Sequence, residues 1–211
     1  MAKSIIFDLD GTLTDSGPGI MRSVKYALDQ LGIGLEDISK LRACVGPPLG
    51  ISFPRFHVPE EKVEEAIHHF RERYIRIGVD ENEPYAGIHE ALAALKDAGY
   101  PLFVATSKPE PMAMHVLKRF RMTEYFQGIC GATMSHERET KHDVLAYLLD
   151  HYQVEDPVMV GDTIYDVDGA AAFSIPCLGV SWGYGVSQDM LDHGAIAVVD
   201  TMEELKEYFL K

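Results

Sequence analysis

The sequence predicts an α/β fold, a parallel sheet flanked by helices that carries a small inserted helical bundle. Three observations predict it. Ser4-Ile5-Ile6-Phe7 is a short apolar run, rich in β-branched residues, of the kind buried on both faces of a sheet. From Pro84 onward short apolar runs alternate with amphipathic helical stretches, the pattern of βαβ units. Between them, residues 16–83 read as helices and turns with no strand.

In chain order, Gly17-Pro18-Gly19 breaks the chain, and Ile20, Val24, Ala27, Leu28 and Leu31 then recur at helical spacing until Gly32 and Gly34. A shorter helix is expected over Asp37 to Ala43, and Gly46-Pro47-Pro48-Leu49-Gly50 reads as a loop. Glu60 to Ile77 shows an apolar stripe of Val63, Ala66, Ile67, Phe70, Tyr74 and Ile77, which predicts a long amphipathic helix. The expected division is therefore a core of residues 1–15 and 84–211 and a helical domain of residues 16–83. Core strands are expected at Leu102 to Ala105, Gly128 to Cys130, Pro157 to Val160, Cys177 to Val180 and Ala195 to Val199. Helices are expected at Ile88 to Ala98, Pro109 to Phe120, Lys141 to Tyr152, Ile164 to Ala172 and Met202 to Leu210.

Composition narrows the function classes. With 25% charged and 46% hydrophobic residues the 211-residue chain is an ordinary globular sequence. A net charge of -14 argues against nucleic acid, whose phosphate backbone needs clustered Lys and Arg. The helical stretch is nearly balanced, so the core carries almost all of that charge. Cys44, Cys130 and Cys177 are few, odd in number and far apart, which disfavours a disulfide framework or a zinc site and fits a reducing compartment. No apolar run approaches the ~20 residues of a membrane span, and Asp8 interrupts the first too early for a signal peptide. The expectation is a cytoplasmic protein without a membrane or nucleic-acid partner.

Chemistry collects where strands end. Asp8 and Asp10 follow the first strand, and at spacing i, i+2 they share a face, which favours a hard, oxygen-liganded cation such as Mg2+. Gly11 lets the backbone turn away. Thr106 and Ser107 follow the Leu102 strand, Asp162 and Asp166 follow the Val158 strand, and Lys141 opens a helix between them. In a parallel sheet these converge on the crevice beyond the carboxyl edge. Together they supply a nucleophile (Asp8), an acid and base (Asp10), a metal carboxylate (Asp162), groups for the phosphoryl oxygens (Thr106 and Lys141) and an orienting carboxylate (Asp166), which is the equipment of phosphoryl transfer.

Asp8-Leu9-Asp10-Gly11-Thr12, Thr106, Lys141 and Gly161-Asp162-x-x-x-Asp166 resemble the four ordered motifs of the haloacid dehalogenase superfamily. Gly17-Pro18-Gly19-Ile20 and the stretch Gly179 to Gly185 resemble, more narrowly, its phosphoglycolate-phosphatase-like branch with a helical cap of the C1 type. The resemblance implies a Rossmann-like core and a Mg2+-dependent phosphatase acting through an aspartyl-phosphate on a small phosphorylated metabolite. It implies substrate contacts from Gly11, Thr12, Thr106, Ser107 and Lys141, and a metal held by Asp8, Asp162 and Asp10, the last through its backbone carbonyl alone. His142 stands where many relatives have Pro, and Ser107 where many have Asn. Asp10 argues against dehalogenases and against the P-type ATPase pattern, which has Thr there. A cap-containing sugar phosphomutase is the alternative, and a signalling receiver or silent binding protein ranks lower.

Among the remaining residues, His68 and His69 read as a solvated face, and His136 and His142 are not spaced for zinc. Gly183-Tyr184-Gly185 reads as a mobile loop bordering the site, and Trp182 is left open. Tyr74, Met112 and Met114 read as packing. Arg22, Lys25, Arg42 and Arg55 are candidate cap contacts to an anionic substrate, and the loop of residues 44–53 is the specificity candidate.

Overall fold

The computed structural model describes residues 3–135 and 137–211, so His136 lies outside the described residues. The chain forms two compact units, one made of the sequence up to Thr14 and from Pro84 on, the other of Asp15–Glu83.

The first unit is built on a six-stranded parallel sheet. Its strands are β1 (Ile5–Phe7), β4 (Leu102–Pro109), β5 (Gly128–Ala132), β6 (Val158–Gly161), β7 (Cys177–Val180) and β8 (Ala197–Val199), in the spatial order β5-β4-β1-β6-β7-β8. β1 lies in the middle because Ile5, Ile6 and Phe7 are fully buried and can be covered only by layers on both faces. The helices that cover them are α4 (Ile88–Asp97), α5 (Glu110–Arg119), α6 (Lys141–His151), α7 (Ile164–Ala171), α8 (Ser187–Asp192) and α9 (Met202–Leu210). On one face Ile6, Phe103, Met159 and Cys177 of adjacent strands pack against Val144, Leu145 and Leu148 of α6 and Val167 and Ala170 of α7.

Strand register fixes where the chemistry falls. Phe7 is level with Val104 of β4 and with Val160 of β6. Asp8, one residue further, and Thr106 and Asp162, two further on the neighbouring strands, therefore emerge together at the carboxyl edge, as expected for this sheet class. The central switch of strand order, with β4 on one side of β1 and β6 on the other, opens the crevice there.

The second unit is helical: α1 (Gly17–Gln30), α2 (Leu49–Ser52) and α3 (Val63–Arg76) with short 3-10 turns between them. α1 packs closely on the turn Gly78–Asp80, since a Cβ on Gly19 would lie 2.0 Å from the Gly78 carbonyl oxygen. Phe70 and Tyr74 of α3 stack at 5.0 Å inside the unit, the packing role read for Tyr74. The chain passes between the units through β2 (Thr14–Asp15) and β3 (Glu83–Pro84), which pair as a two-stranded sheet.

Local departures from the expected elements have physical causes. Residues 38–44 form a 3-10 helix rather than an α-helix, capped by the Asp37 carboxylate accepting from Ser39 N–H. Pro48 starts α2 instead of prolonging the loop, so Leu49 and Gly50 are helical. α3 begins at Val63, after a 3-10 turn at Glu60–Lys62. β4 runs on to Pro109 with a register shift after Thr106, and α8 occupies a stretch in which no helix is expected from the sequence. Among the described residues no helix is long and apolar enough to cross a membrane.

Candidate active site

Asp8 leaves β1 with its N–H on the Val160 carbonyl, 2.9 Å away, which locks its backbone to β6. The next residues turn tightly: Leu9 O accepts from the N–H groups of Thr12, Leu13 and Thr14. Gly11 sits at φ +84°, and a Cβ there would meet Asp162 Oδ2 at 2.2 Å. Any larger residue would push the second carboxylate out of place.

Lys141 is the hub. Placed at the start of α6 by the capping box of Thr140 and Asp143, it is 5% exposed. Its ammonium lies 2.8 Å from Asp8 Oδ1 and 2.8 Å from Asp166 Oδ1, and it donates to Ala105 O at 2.8 Å. The two carboxylate contacts are ion pairs, and the hydrogen bond goes to the Ala105 carbonyl. Gly169 on α7 is what admits the side chain, since a Cβ there would lie 2.6 Å from Lys141 Cγ.

Asp166 works with both oxygens. Oδ1 faces Lys141, while Oδ2 accepts from Thr163 N–H at 3.0 Å and Thr163 Oγ1 at 2.9 Å, closing the first turn of α7. The carboxylate that pairs with Lys141 thus also closes the start of the helix that follows Asp162. Asp162 is fully buried. It accepts from Thr12 Oγ1 at 3.1 Å and from Tyr184 N–H at 2.8 Å. Cβ atoms on Gly183 and Gly185 would lie 2.3 Å from Asp162 Cβ and 2.0 Å from its carbonyl oxygen. The Gly183-Tyr184-Gly185 stretch, read from sequence as a mobile border, is in fact packed directly on Asp162. Trp182 joins it by donating to Thr12 O at 3.1 Å.

Thr106 is buried, and its hydroxyl accepts from Lys108 N–H at 3.2 Å, which leaves its own hydrogen to donate. Ser107 is half-buried beside it. Asp10 takes no part in the cluster around Lys141. Both of its oxygens lie 2.8 Å from the ammonium of Lys108, a residue that sequence reasoning missed. The signal was available: Lys108 stands at i+2 from Thr106 on the same strand, the spacing that shares a face.

Electrostatics point to a missing positive charge. Among the described residues, the four carboxylates Asp8, Asp10, Asp162 and Asp166 pair with two ammonium groups, Lys108 and Lys141, an excess of two negative charges. Asp8, Asp162 and Asp166 offer oxygens within 4.8 Å of one another. Burial, only partly offset by Lys141 and reinforced by Asp166, raises the Asp8 carboxyl to about 6. Burial, Asp166 and Asp8 raise Asp162 well above the usual carboxylate range. Burial alone would lower the Lys141 ammonium, but Asp166 and Asp8 outweigh it and raise it. A divalent, oxygen-liganded cation fits this donor set in charge and chemistry.

This makes a prediction. Without a cation, stability contributed by protonated Asp8 is full below its ordinary value of 3.8 and is lost as pH rises through about 6. Adding Mg2+ should therefore raise Tm by more at about pH 7.5 than at about pH 5, as read by differential scanning fluorimetry. An equal gain at both would contradict a cation among these carboxylates.

Arg22 pairs with Glu81 at 2.9 Å, and Arg73 holds the same carboxylate at 2.8 Å. Lys25 pairs with Asp29 at 2.6 Å. Two of the four cap candidates, Arg22 and Lys25, are thus engaged within the helical unit. His69 pairs with Glu72, and His68 is exposed. The three cysteines are free and buried, and burial pushes the thiols up, Cys44 and Cys130 to about 11, so none offers a thiolate nucleophile at neutral pH.

Comparison with known proteins agrees with the geometry. The family model described as haloacid dehalogenase-like hydrolase matches residues 5–180. A 5'-nucleotidase of Pseudomonas aeruginosa is 38% identical over 193 residues, covering 90% of this chain and 87% of its own. The tyrosine-protein kinase PtkA of Mycobacterium tuberculosis is 41% identical over 208 residues, covering 96% of this chain and 71% of its own. Among solved structures, one described as a predicted phosphatase from Clostridium acetobutylicum superposes with a TM-score of 0.95 at 38% identity, covering 100% of this chain and 99% of its own.

Proposed function

The chain belongs to the haloacid dehalogenase-like hydrolases, and on that basis we propose that it is a Mg2+-dependent phosphatase that hydrolyses a small phosphate monoester through an aspartyl-phosphate on Asp8. The observation that carries this reading is the environment of Asp8: a buried carboxylate beside Lys141, Asp162 and Asp166, with Asp10 two residues on and outside that cluster.

An Asp8 oxygen attacks phosphorus and the ester P–O bond breaks. Asp10 gives its proton to the departing alcohol oxygen. Asp10 then takes a proton from water, whose oxygen attacks the same phosphorus, and the bond from phosphorus to Asp8 breaks. Thr106 donates its free hydroxyl hydrogen to a phosphoryl oxygen, with the backbone at Gly11 and Thr12 and the Ser107 hydroxyl assigned to the same group. Lys141 keeps Asp8 in place and contributes positive charge. Asp8 and Asp162, with the Asp10 carbonyl, are the assigned holders of Mg2+, and Asp166 orients the cluster. When bound, the cation supplies charge neutralisation between the phosphoryl group and the carboxylates, which otherwise repel it.

The helical unit Asp15–Glu83 is assigned selection of the alcohol half. Relatives named 5'-nucleotidase, at 38% identity, and phosphoglycolate phosphatase (Agrobacterium fabrum), at 31%, put nucleoside 5'-monophosphates and phosphoglycolate first among candidates. The relative named a tyrosine-protein kinase favours a second reading, transfer of the phosphoryl group to a protein hydroxyl instead of water.

The test is phosphate release from p-nitrophenyl phosphate, adenosine 5'-monophosphate, phosphoglycolate and glucose 6-phosphate, with Mg2+ and with EDTA. Mg2+-dependent turnover of at least one supports the reading. If no ester is hydrolysed while label from ATP appears on tyrosine, the kinase reading replaces it.

A further inference from the structure

We infer that Lys108 is a positioning residue that holds the Asp10 carboxylate for proton transfer, so that its loss slows the proton-dependent steps and spares attack on phosphorus. The inference rests on the phosphatase reading above and adds to it a residue outside the four motifs.

The geometry is specific. Lys108 is 6% exposed, and its ammonium sits 2.8 Å from each Asp10 oxygen. A symmetric contact of this kind fixes the rotation of the carboxylate about its χ2 bond, which otherwise turns broadly. Asp10 lies beyond the end of β1, in an isolated bridge to Thr14, so the rotation is not set by strand packing alone. Lys108 is itself held. Its N–H donates to Thr106 Oγ1, after which the register of β4 shifts. Its carbonyl lies so close to β5 that a Cβ on Gly131 would meet it at 2.6 Å. The residue that grips Asp10 is thus tied to Thr106, and acid–base group and phosphoryl contact are set by one short segment. Lys141 has a different task, because its three partners are Asp8, Asp166 and Ala105 O.

The two half-reactions depend on Asp10 differently. Forming the aspartyl-phosphate from an alkyl ester needs a proton on the alcohol oxygen. Forming it from p-nitrophenyl phosphate does not, because p-nitrophenolate leaves without one. Hydrolysis of the aspartyl-phosphate needs Asp10 to take the proton of water whichever ester supplied the phosphoryl group.

The experiment compares wild type and Lys108→Met with Mg2+ on p-nitrophenyl phosphate and on whichever of phosphoglycolate, adenosine 5'-monophosphate and glucose 6-phosphate the wild type hydrolyses fastest. For the alkyl ester, kcat/KM should fall by about 10²-fold, within the usual range for a general acid. For p-nitrophenyl phosphate, kcat/KM should change by less than about threefold while kcat and KM fall together. A burst of p-nitrophenolate close to the enzyme concentration should accompany that fall. Lys108→Arg, whose planar fork matches both oxygens, should regain most of the alkyl-ester rate. If the methionine variant does not fold, Lys108→Gln is read by the same ratio. Equal losses on both esters without a burst, or a folded arginine variant that regains nothing, would overturn the assignment. A wild type inactive on every ester would overturn the phosphatase reading instead.

Discussion

Asp8→Asn is expected to lower phosphate release by about 10⁴-fold or more while leaving the protein folded. The amide matches the carboxylate in size but offers no anionic oxygen to attack phosphorus. Stability should not follow activity. Asp8 is buried against Lys141, yet burial and Asp166 together raise its carboxyl to about 6, so its charge is held at a cost in the metal-free protein at neutral pH. Replacing it removes that cost and leaves Lys141 with Asp166 and Ala105 O. Without Mg2+ the variant should therefore melt at or above the wild-type temperature at about pH 7.5, and its Tm gain with Mg2+ should shrink because one carboxylate is gone. An active variant, or one inactive because it is unfolded, would count against Asp8 as nucleophile.

Lys141→Met should be strongly destabilising. The methionine fills much of the same volume but removes the partner shared by Asp8 Oδ1, Asp166 Oδ1 and Ala105 O. Removing one side of a buried ion pair costs about 3–5 kcal/mol, because the other side is left charged and unpaired. Asp8 can escape by taking a proton, so the loss read by urea unfolding should be smaller at about pH 5 than at about pH 7.5. Phosphate release should be lost at either pH. A variant as stable as wild type across that range would mean that the ammonium is not what holds the two carboxylates together.

Much of this was legible in the sequence because the elements that carry it have strong local signals. Ile5-Ile6-Phe7 needs two covered faces, and the Asp residues that follow have nowhere to go except the carboxyl edge. The helix read over Lys141 to Tyr152 puts Lys141 at its start, where the fold adds the cap of Thr140 and Asp143. The misses share a different origin, since they depend on contacts between distant segments. Lys108 meets Asp10 across 98 residues of sequence, and the strand spacing that puts it beside Thr106 does not say which carboxylate it will find. Tyr184 reaches Asp162 through its backbone N–H, a group every residue but proline carries, so its side chain gave no hint. The glycines around it looked like freedom. In the fold they are close contacts, with Gly183 and Gly185 small because Asp162 occupies the space a Cβ would need. Arg22 looked available for an anion because its partner, Glu81, is 59 residues away and carries no sign in the sequence of facing it, whereas Asp29 stands at i+4 from Lys25 on a predicted helix, a spacing that announces the pair.

The covalent step can be seen directly. Enzyme mixed with the ester it hydrolyses fastest and Mg2+ is quenched in acid within a turnover, digested, and its peptides are weighed by mass spectrometry. The account predicts the added mass of one phosphoryl group on the peptide containing Asp8, located on Asp8 by fragmentation and absent from Asp8→Asn. Turnover with a phosphoryl group on another residue, or with the Asp8 peptide unmodified at every quench time even in Lys108→Met, in which the intermediate should accumulate, would contradict it.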